Sequence, residues 1–256
     1  MTIFNQRQQE ILAWVQRDGH VTVEKLASHF DVTHQTIRRD ITLLADKRQL
    51  QRLHGGVSVL SSVENTAYKL RQVLLHPEKQ RIARLAAQHI PHHASLFINL
   101  GTTTEEVAKA LHAHRGLRVV TNNLNVAATM CRYEDCEVIV AGGVMRPRDM
   151  GIIGESTIEF IRKFKVDYGI IGISSIETDG MMRDYDMREV RTSDAIISQS
   201  RNVFLVADHS KFGRPAMVEL GHLSRVTALY TDAPVAPEMA EVIAAAKIDL
   251  HIAGAA

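Results

Sequence analysis

Four residues between positions 35 and 42 carry the chemistry to read a nucleic acid. Gln35, Arg38, Arg39 and Thr42 fall at i, i+3, i+4 and i+7, so on a helix they form one stripe. Arginine grips guanine bidentately in the major groove, glutamine pairs with adenine, and either holds phosphate. A solvated helix face is the plainer reading of such a stripe. Three features argue against it: the stripe holds no acid, a short helix and a tight turn precede it, and a hairpin pattern follows.

A second group of residues suits a phosphate or a carboxylate. Gly101-Thr102-Thr103-Thr104-Glu105 follows an apolar strand at 95–100 and opens a helix, where backbone N–H groups, the helix dipole and three hydroxyls converge. Thr121-Asn122-Asn123 ends the next strand and Gly142-Gly143 the one after. Each alone is ordinary turn chemistry; three in succession make a candidate ligand rim. Lys211 would neutralise an anion and Asp208 accept from hydroxyls, both directly after a strand at 203–207. Further charges near strand ends or loops are Arg146, Arg148, Asp149, Asp179, Asp184, Asp186, Glu189 and Arg191, with Arg146 and Arg148 read as a solvated loop with a local ion pair.

Catalytic and metal chemistry find little support. His209 beside Ser210 is no triad, because sequence neighbours need not face one another and no nucleophile elbow is present. His92-His93 and the pair His112 and His114 lack carboxylates at ligand spacing. Cys131 and Cys136, the chain's two cysteines, are too few for a disulfide framework or a zinc site. No catalytic residue, metal or cofactor is expected.

These residues need elements to position them. Ile37, Ile41 and Leu44 recur at i, i+4 and i+7 and give the stripe's helix its buried face, with Thr33 as its cap. Before it, Thr22 caps a helix at 23–30, with Leu26, Ala27 and Phe30 inward, and Asp31-Val32 makes the turn. A first helix at 4–17 carries Ile11, Trp14 and Val15 and stops at Gly19. Residues 50–60 read as two strands around Gly55-Gly56, a wing that sets Arg52 and His54 beside a nucleic-acid backbone. From residue 76 short apolar strands alternate with helices, the pattern of a doubly wound, mostly parallel α/β sheet covered on both faces. The expected division is a winged helix-turn-helix domain over 1–60, a linker over 61–75 and an α/β ligand-binding domain over 76–256.

Composition agrees with this division. The chain has 256 residues, a formal net charge of +1 and 45% hydrophobic residues, enough for packed cores and against global disorder. Near-neutrality excludes a polybasic coat for nucleic acid, yet residues 33–54 hold five basic against two acidic side chains, a short basic unit inside a neutral chain. Residues 1–9 lack the layout of a secretory signal, and apolar runs such as 168–173 are far shorter than a membrane span. No membrane partner is expected, and the location expected is the bacterial cytoplasm, on the nucleoid when bound to DNA.

Together these motifs resemble the DeoR family of bacterial repressors, which respond to phosphorylated sugars and related metabolites. The amino-terminal likeness rests on Gln9-Glu10-Ile11-Leu12, on Thr33-His34-Gln35-Thr36-Ile37-Arg38-Arg39-Asp40-Ile41 and on His54-Gly55-Gly56. The carboxy-terminal likeness rests on Leu100-Gly101-Thr102-Thr103, Thr121-Asn122-Asn123, Ala141-Gly142-Gly143, Gly151-Ile152-Ile153-Gly154 and Asp208-His209-Ser210-Lys211-Phe212. The resemblance implies a DNA-binding set of Thr33, His34, Gln35, Thr36, Arg38, Arg39, Thr42, Arg52, His54 and Gly55. It implies an effector set of Gly101, Thr102, Thr103, Thr104, Thr121, Asn122, Asn123, Gly142, Gly143, Asp208 and Lys211. Residues 120–127 and 206–214 are most similar to family members that respond to glycerol 3-phosphate. They imply a homodimeric or homotetrameric repressor of glycerol uptake and catabolism genes, released from double-stranded operator DNA by that effector. The ligand domain also resembles the sheet of phosphopentose isomerases and coenzyme A transferases, so an enzyme using Glu189 and Lys211 as acid–base groups is the competing class.

Overall fold

Thr22 and Thr33 each end an extended segment and start a helix. The Thr22 hydroxyl accepts from the Lys25 N–H at 3.2 Å, and the Thr33 hydroxyl accepts from the Thr36 N–H at 3.2 Å. The computed structural model describes residues 4–18, 20–47, 49–53, 55–59 and 68–254. The chain divides into two units, Met1–Ser62 and Val63–Ala256.

The first unit runs α1 (Gln6–Asp18), β1 (His20–Thr22), α2 (Val23–Phe30), α3 (His34–Asp46), β2 (Leu50–Leu53) and β3 (Gly56–Val59). Between α2 and α3 the chain turns through Asp31, which takes the left-handed conformation at φ 48. Ile11, Leu26, Ile37 and Leu44 are fully buried and join the three helices into one core. The wing strands β2 and β3 pair antiparallel as the sequence implies. An unanticipated β1 pairs on the other side of β3, giving a sheet of order β1-β3-β2; three residues are too short to display an alternating pattern. This pairing needs Gly56, where an added Cβ would stand 2.7 Å from the Val21 carbonyl oxygen.

The second unit opens with α4 (Tyr68–Val73), a helix within the stretch read as linker, and α5 (His76–Gln88). It continues through β4 (Ser95–Ile98), α6 (Thr102–Ala110), β5 (Leu117–Thr121), α7 (Leu124–Met130), β6 (Cys136–Val140), β7 (Val144–Arg146) and β8 (Gly151–Ile153). Then come α8 (Glu155–Ile161), β9 (Val166–Ile171), β10 (Ser175–Ile176), β11 (Met181–Asp184), α9 (Met187–Ser198) and β12 (Ser200–Val206). The unit closes with β13 (Val218–His222), β14 (Ala228–Thr231), α10 (Pro237–Ala245) and β15 (Asp249–Ile252).

Seven strands form one parallel sheet in the order β15-β14-β12-β9-β4-β5-β6. Side chains alternate between its faces, as the pleat requires. Leu96, Ile98, Val119, Ile170 and Phe204 pack with α5, α6 and α7, while Phe97, Val120, Ile171, Val203 and Leu205 pack with α8, α9 and α10. The expected doubly wound architecture is therefore present, with small antiparallel additions: a β7-β8 pair and a β10-β11-β13 sheet. From β4 the chain winds outward through β5 and β6, then returns to the other side of β4 as β9. The carboxyl ends of β4 and β9 thus diverge at a topological switch point, where open α/β sheets bind ligands. Among the described residues no helix is long and apolar enough to cross a membrane.

Candidate functional site

On the first unit, α3 and the wing border an open groove lined by Gln35, Arg38, Arg39, Thr42, Lys47 and Arg52, with Leu43 and Asp46 completing it. Arg38 and Arg39 are exposed, while Ile37, Asp40 and Ile41 on the opposite side are buried. The Thr42 hydroxyl donates to the Arg38 carbonyl at 2.8 Å and accepts from Arg52 Nη1 at 3.5 Å, linking the wing to the helix. His34 and Gln35 are exposed in the first turn of α3, and the Thr33 and Thr36 hydroxyls meet at 3.0 Å. Gly55 makes the wing turn at φ +81, and His54 lies outside the described residues.

The second unit carries a cleft at the switch point. Its floor is the β4–α6 loop (Asn99, Leu100, Gly101), the start of α6 (Thr102, Thr103) and the segment after β9 (Gly172, Ile173, Ser174). Lys211 enters from the turn after β12, and Tyr68 and Arg71 enter from α4. Glu105, Asp149, Asp184 and Glu189 add carboxylates to its lining.

One end of this cleft suits an anion. Gly101 sits at φ 145, a conformation glycine adopts readily, and precedes α6 without a side-chain cap on the helix's first N–H groups. Burial pushes the Lys211 ammonium down to about 8; Arg214, Arg71 and Lys79 push the same way, and Asp208 opposes them. Asp208 itself is 1% exposed. Burial would raise its carboxyl, but Lys211, the Ser210 hydroxyl and Lys79 outweigh that and hold it below the usual range. His209 is tied elsewhere, its ring Nδ1 lying 2.7 Å from Asp232.

The other end suits hydroxyl groups. Asn99 donates to the Ser193 hydroxyl at 2.8 Å, and Ser174 donates to Asp184 at 2.8 Å. Arg146 holds Asp149 at 2.6 Å, Glu189 at 2.6 Å and Asp186 at 3.1 Å. Burial and the neighbouring Asp184 charge push Glu189 upward against the pull of Arg146. The expectation of a solvated loop at Arg146 is thus corrected: its side chain is 9% exposed among three carboxylates. Arg148, at 59%, remains in solvent. The difference arises because the β7-β8 hairpin folds Arg146 inward against the start of α9, a contact 40 residues away in sequence.

Of the rim read from sequence, Gly101, Thr102, Thr103 and Lys211 meet at the cleft. The Thr104 hydroxyl is turned into the loop, donating to the Asn99 and Gly101 carbonyls. Thr121 donates to the Ile98 carbonyl at 2.6 Å, and Asn122 donates to the Ile152 carbonyl at 3.1 Å. Asn123 caps α7 and donates to Glu105 at 3.0 Å. None of Thr104, Thr121, Asn122 and Asn123 lines the cleft, nor do the exposed Gly142, whose carbonyl accepts from Thr157, and the neighbouring Gly143. Tyr68, Arg71, Asn99 and Ser193 escaped the sequence reading. Tyr68 and Arg71 lie in a weakly periodic stretch, and Asn99 carries no pattern apart from its place at a strand end. Among the described residues no group of three or more His, Cys, Asp or Glu is placed to hold a metal ion.

Residues 7–63 match the DeoR-like helix-turn-helix domain and residues 75–233 match the DeoR C terminal sensor domain. The chain belongs to the DeoR family. Within it, the glycerol-3-phosphate regulon repressor of Escherichia coli is 49% identical over 96% of this chain and 98% of its own length. The protein of that name from Haemophilus influenzae is 48% identical over 88% of each, and the repressor CsqR of Escherichia coli is 40% identical over 89% and 87%. Among solved structures, ribose 5-phosphate isomerase from Plasmodium falciparum matches at a TM-score of 0.39 with 11% identity over 52% of each chain, a likeness that carries no chemistry. As a DeoR-family chain, the protein is a DNA-binding repressor in which a helix-turn-helix unit is joined to a sensor unit, and its relatives are regulators, not enzymes.

Proposed function

We propose that this repressor governs genes of glycerol and glycerol 3-phosphate metabolism, and that glycerol 3-phosphate bound in the cleft releases it from its operator. The observation that carries the reading is the pairing of the α6 N-terminus with Lys211 across one cleft. It sets an uncapped helix N-terminus and an ammonium in one cleft with carboxylate and amide groups that suit the hydroxyls of a short polyol. The effector's phosphate rests on Gly101, Thr102 and Thr103 with Lys211, while Thr104, Thr121, Asn122, Asn123, Gly142, Gly143 and Asp208 hold the surrounding loops.

In the same reading the DNA contacts are Thr33, His34, Gln35, Thr36, Arg38, Arg39, Thr42, Arg52, His54 and Gly55. The functional division is 1–60 for DNA, 61–75 for connection and 76–256 for sensing. A homodimer or homotetramer in the bacterial cytoplasm sets two α3 stripes about 34–36 Å apart, one turn of duplex, and effector binding favours a different spacing.

Operator titrations with and without glycerol 3-phosphate test this. A coupling typical of allostery weakens operator affinity about 5–150-fold. Unchanged affinity at saturating glycerol 3-phosphate, alongside release by a fructose or hexosamine phosphate, would transfer the effector role to another phosphorylated sugar. The placement of Glu189 and Asp184 in the same cleft as Lys211 also motivates an assay with phosphopentoses; turnover at enzyme-like rates would replace the sensor reading by an isomerase.

A further inference from the structure

No side chain of helix α4 is fully buried; Tyr68, Leu70 and Arg71 are half-buried. Polar bonds fix it at both ends. At its start, the Tyr68 hydroxyl bonds to both Glu105 carboxylate oxygens, at 2.9 and 2.8 Å, and accepts from Asn125 at 2.9 Å. Burial and the bond to Glu105 push the phenol upward, so it remains a protonated donor. At the other end, the buried Lys79 ammonium donates to the Arg71 carbonyl and, at 2.7 Å, to the Leu74 carbonyl.

One anchor lines the cleft and the other reaches it through Asp208. Glu105 lies in the first turn of α6, and Lys79 interacts electrostatically with Asp208, the residue that steadies Lys211. Between the anchors, Arg71 lines the cleft together with Lys211 and stands 5.7 Å from the centre of the Tyr68 ring. In sequence, α4 directly follows residues 61–67, the stretch that leads from the DNA-binding unit. A six-residue helix with no fully buried side chain, fixed at both ends by polar contacts, has a docking equilibrium that a charged ligand shifts readily.

We propose that α4 is an effector-dependent strap, in which Arg71 is a direct ligand of the effector's phosphate and Tyr68, through Glu105, couples the docking of α4 to occupation of the cleft. This rests on the cleft being the effector site. An anion between Arg71 and Lys211 relieves the mutual repulsion of these cations and draws α4 down. The bound state then pulls on the chain leading to the winged helix, which gives the sensor a covalent route to the DNA-binding unit.

Hydrogen–deuterium exchange on the full-length protein, with and without saturating glycerol 3-phosphate, tests the proposal. Ligand is expected to slow exchange both in residues 101–106 and in residues 68–74. Arg71→Ala lowers glycerol 3-phosphate affinity about 10–100-fold, the effect of losing a charged hydrogen bond, and Arg71→Lys recovers part of it. Tyr68→Phe keeps ligand-dependent protection at 101–106 but loses it at 68–74, and operator release weakens with it. Protection confined to 101–106 in the unaltered protein overturns the strap while leaving the cleft as effector site. Protection at neither segment overturns both readings. Protection of 68–74 that survives Arg71→Ala and Tyr68→Phe unchanged overturns the roles given to those side chains.

Discussion

Arg7 Nε donates to Asp40 Oδ2 at 2.6 Å, tying α1 to the buried side of α3. The Gln8 amide donates to the other Asp40 oxygen at 2.8 Å. The acid that interrupts the basic run of the recognition helix is therefore an internal brace, turned away from the groove that Arg38 and Arg39 line. Asp40→Ala leaves Gln8 and Arg7 without their acceptor and is expected to destabilise this unit by about 1–3 kcal/mol. Trp14, the single tryptophan, lies in the same unit. Its fluorescence in urea follows the loss, and an unshifted transition would show the brace to be dispensable.

Arg38→Ala and Arg39→Ala act on the opposite face of that helix. Each is expected to weaken operator binding by about 1–3 kcal/mol where the lost contact is to a base. Arg52→Ala, on the wing, is expected to weaken binding evenly across sequences and to reduce the salt dependence by about one counterion. Operator titrations over a range of salt concentrations separate the two behaviours. Full affinity in both α3 variants would remove the recognition-helix assignment.

If the effector's phosphate rests on Lys211 as proposed, the depressed ammonium gives binding a pH dependence of definite sign. The ammonium is charged below about 8 and neutral above it, whereas a phosphate monoester is already a dianion above about pH 6. Glycerol 3-phosphate affinity is therefore expected to be highest near neutrality and to fall as pH rises through 8, by at most about tenfold per unit. Lys211→Arg keeps its charge throughout and flattens the profile. Calorimetric titrations between about pH 7 and 9.5 measure this; a steep profile persisting in Lys211→Arg would place the titrating group elsewhere.

Arg146 and Arg148 separate a buried charge from an exposed one. Arg146→Met removes the buried partner of Asp149, Asp186 and Glu189, leaving them the exposed Arg148 and Arg188, and is expected to cost about 3–5 kcal/mol. Arg148→Met removes an exposed guanidinium whose three carboxylates keep Arg146, and is expected to cost under about 1 kcal/mol. Thermal melts by circular dichroism compare the pair, and equal melting temperatures would refute the brace at Arg146.

Neighbouring threonines divide in the same manner. Thr102→Ala is expected to blunt the effector response with little change in melting temperature, because Thr102 lines the cleft. Thr104→Ala removes bonds to the Asn99 and Gly101 carbonyls and is expected to lower stability by about 1 kcal/mol as well as effector affinity. Thr104→Ser, which keeps the hydroxyl, is expected to restore most of both; a variant no better than alanine would show that the methyl group matters more.

Local geometry is what the sequence by itself determined. The caps at Thr22 and Thr33, the buried face Ile37–Ile41–Leu44, the paired wing strands and the run of parallel strands all follow from periods of two or of three to four residues, which neighbouring positions suffice to reveal. The same locality exposed the α6 N-terminus and Lys211, each marked by its place after a strand. Convergence across long separations was decided only by the tertiary structure. Tyr68 reaches Glu105 across 37 positions and Arg146 reaches Asp186 across 40, and neither pair leaves a pattern in the intervening residues. It was the divergence of β4 and β9 that selected Gly101, Thr102, Thr103 and Lys211 to face the cleft, while Thr104, Thr121, Asn122 and Asn123, alike in chemistry, were turned into hydrogen bonds within the protein. A residue type states which bonds it can make; the order of strands in the sheet decides whether a ligand or the protein itself receives them.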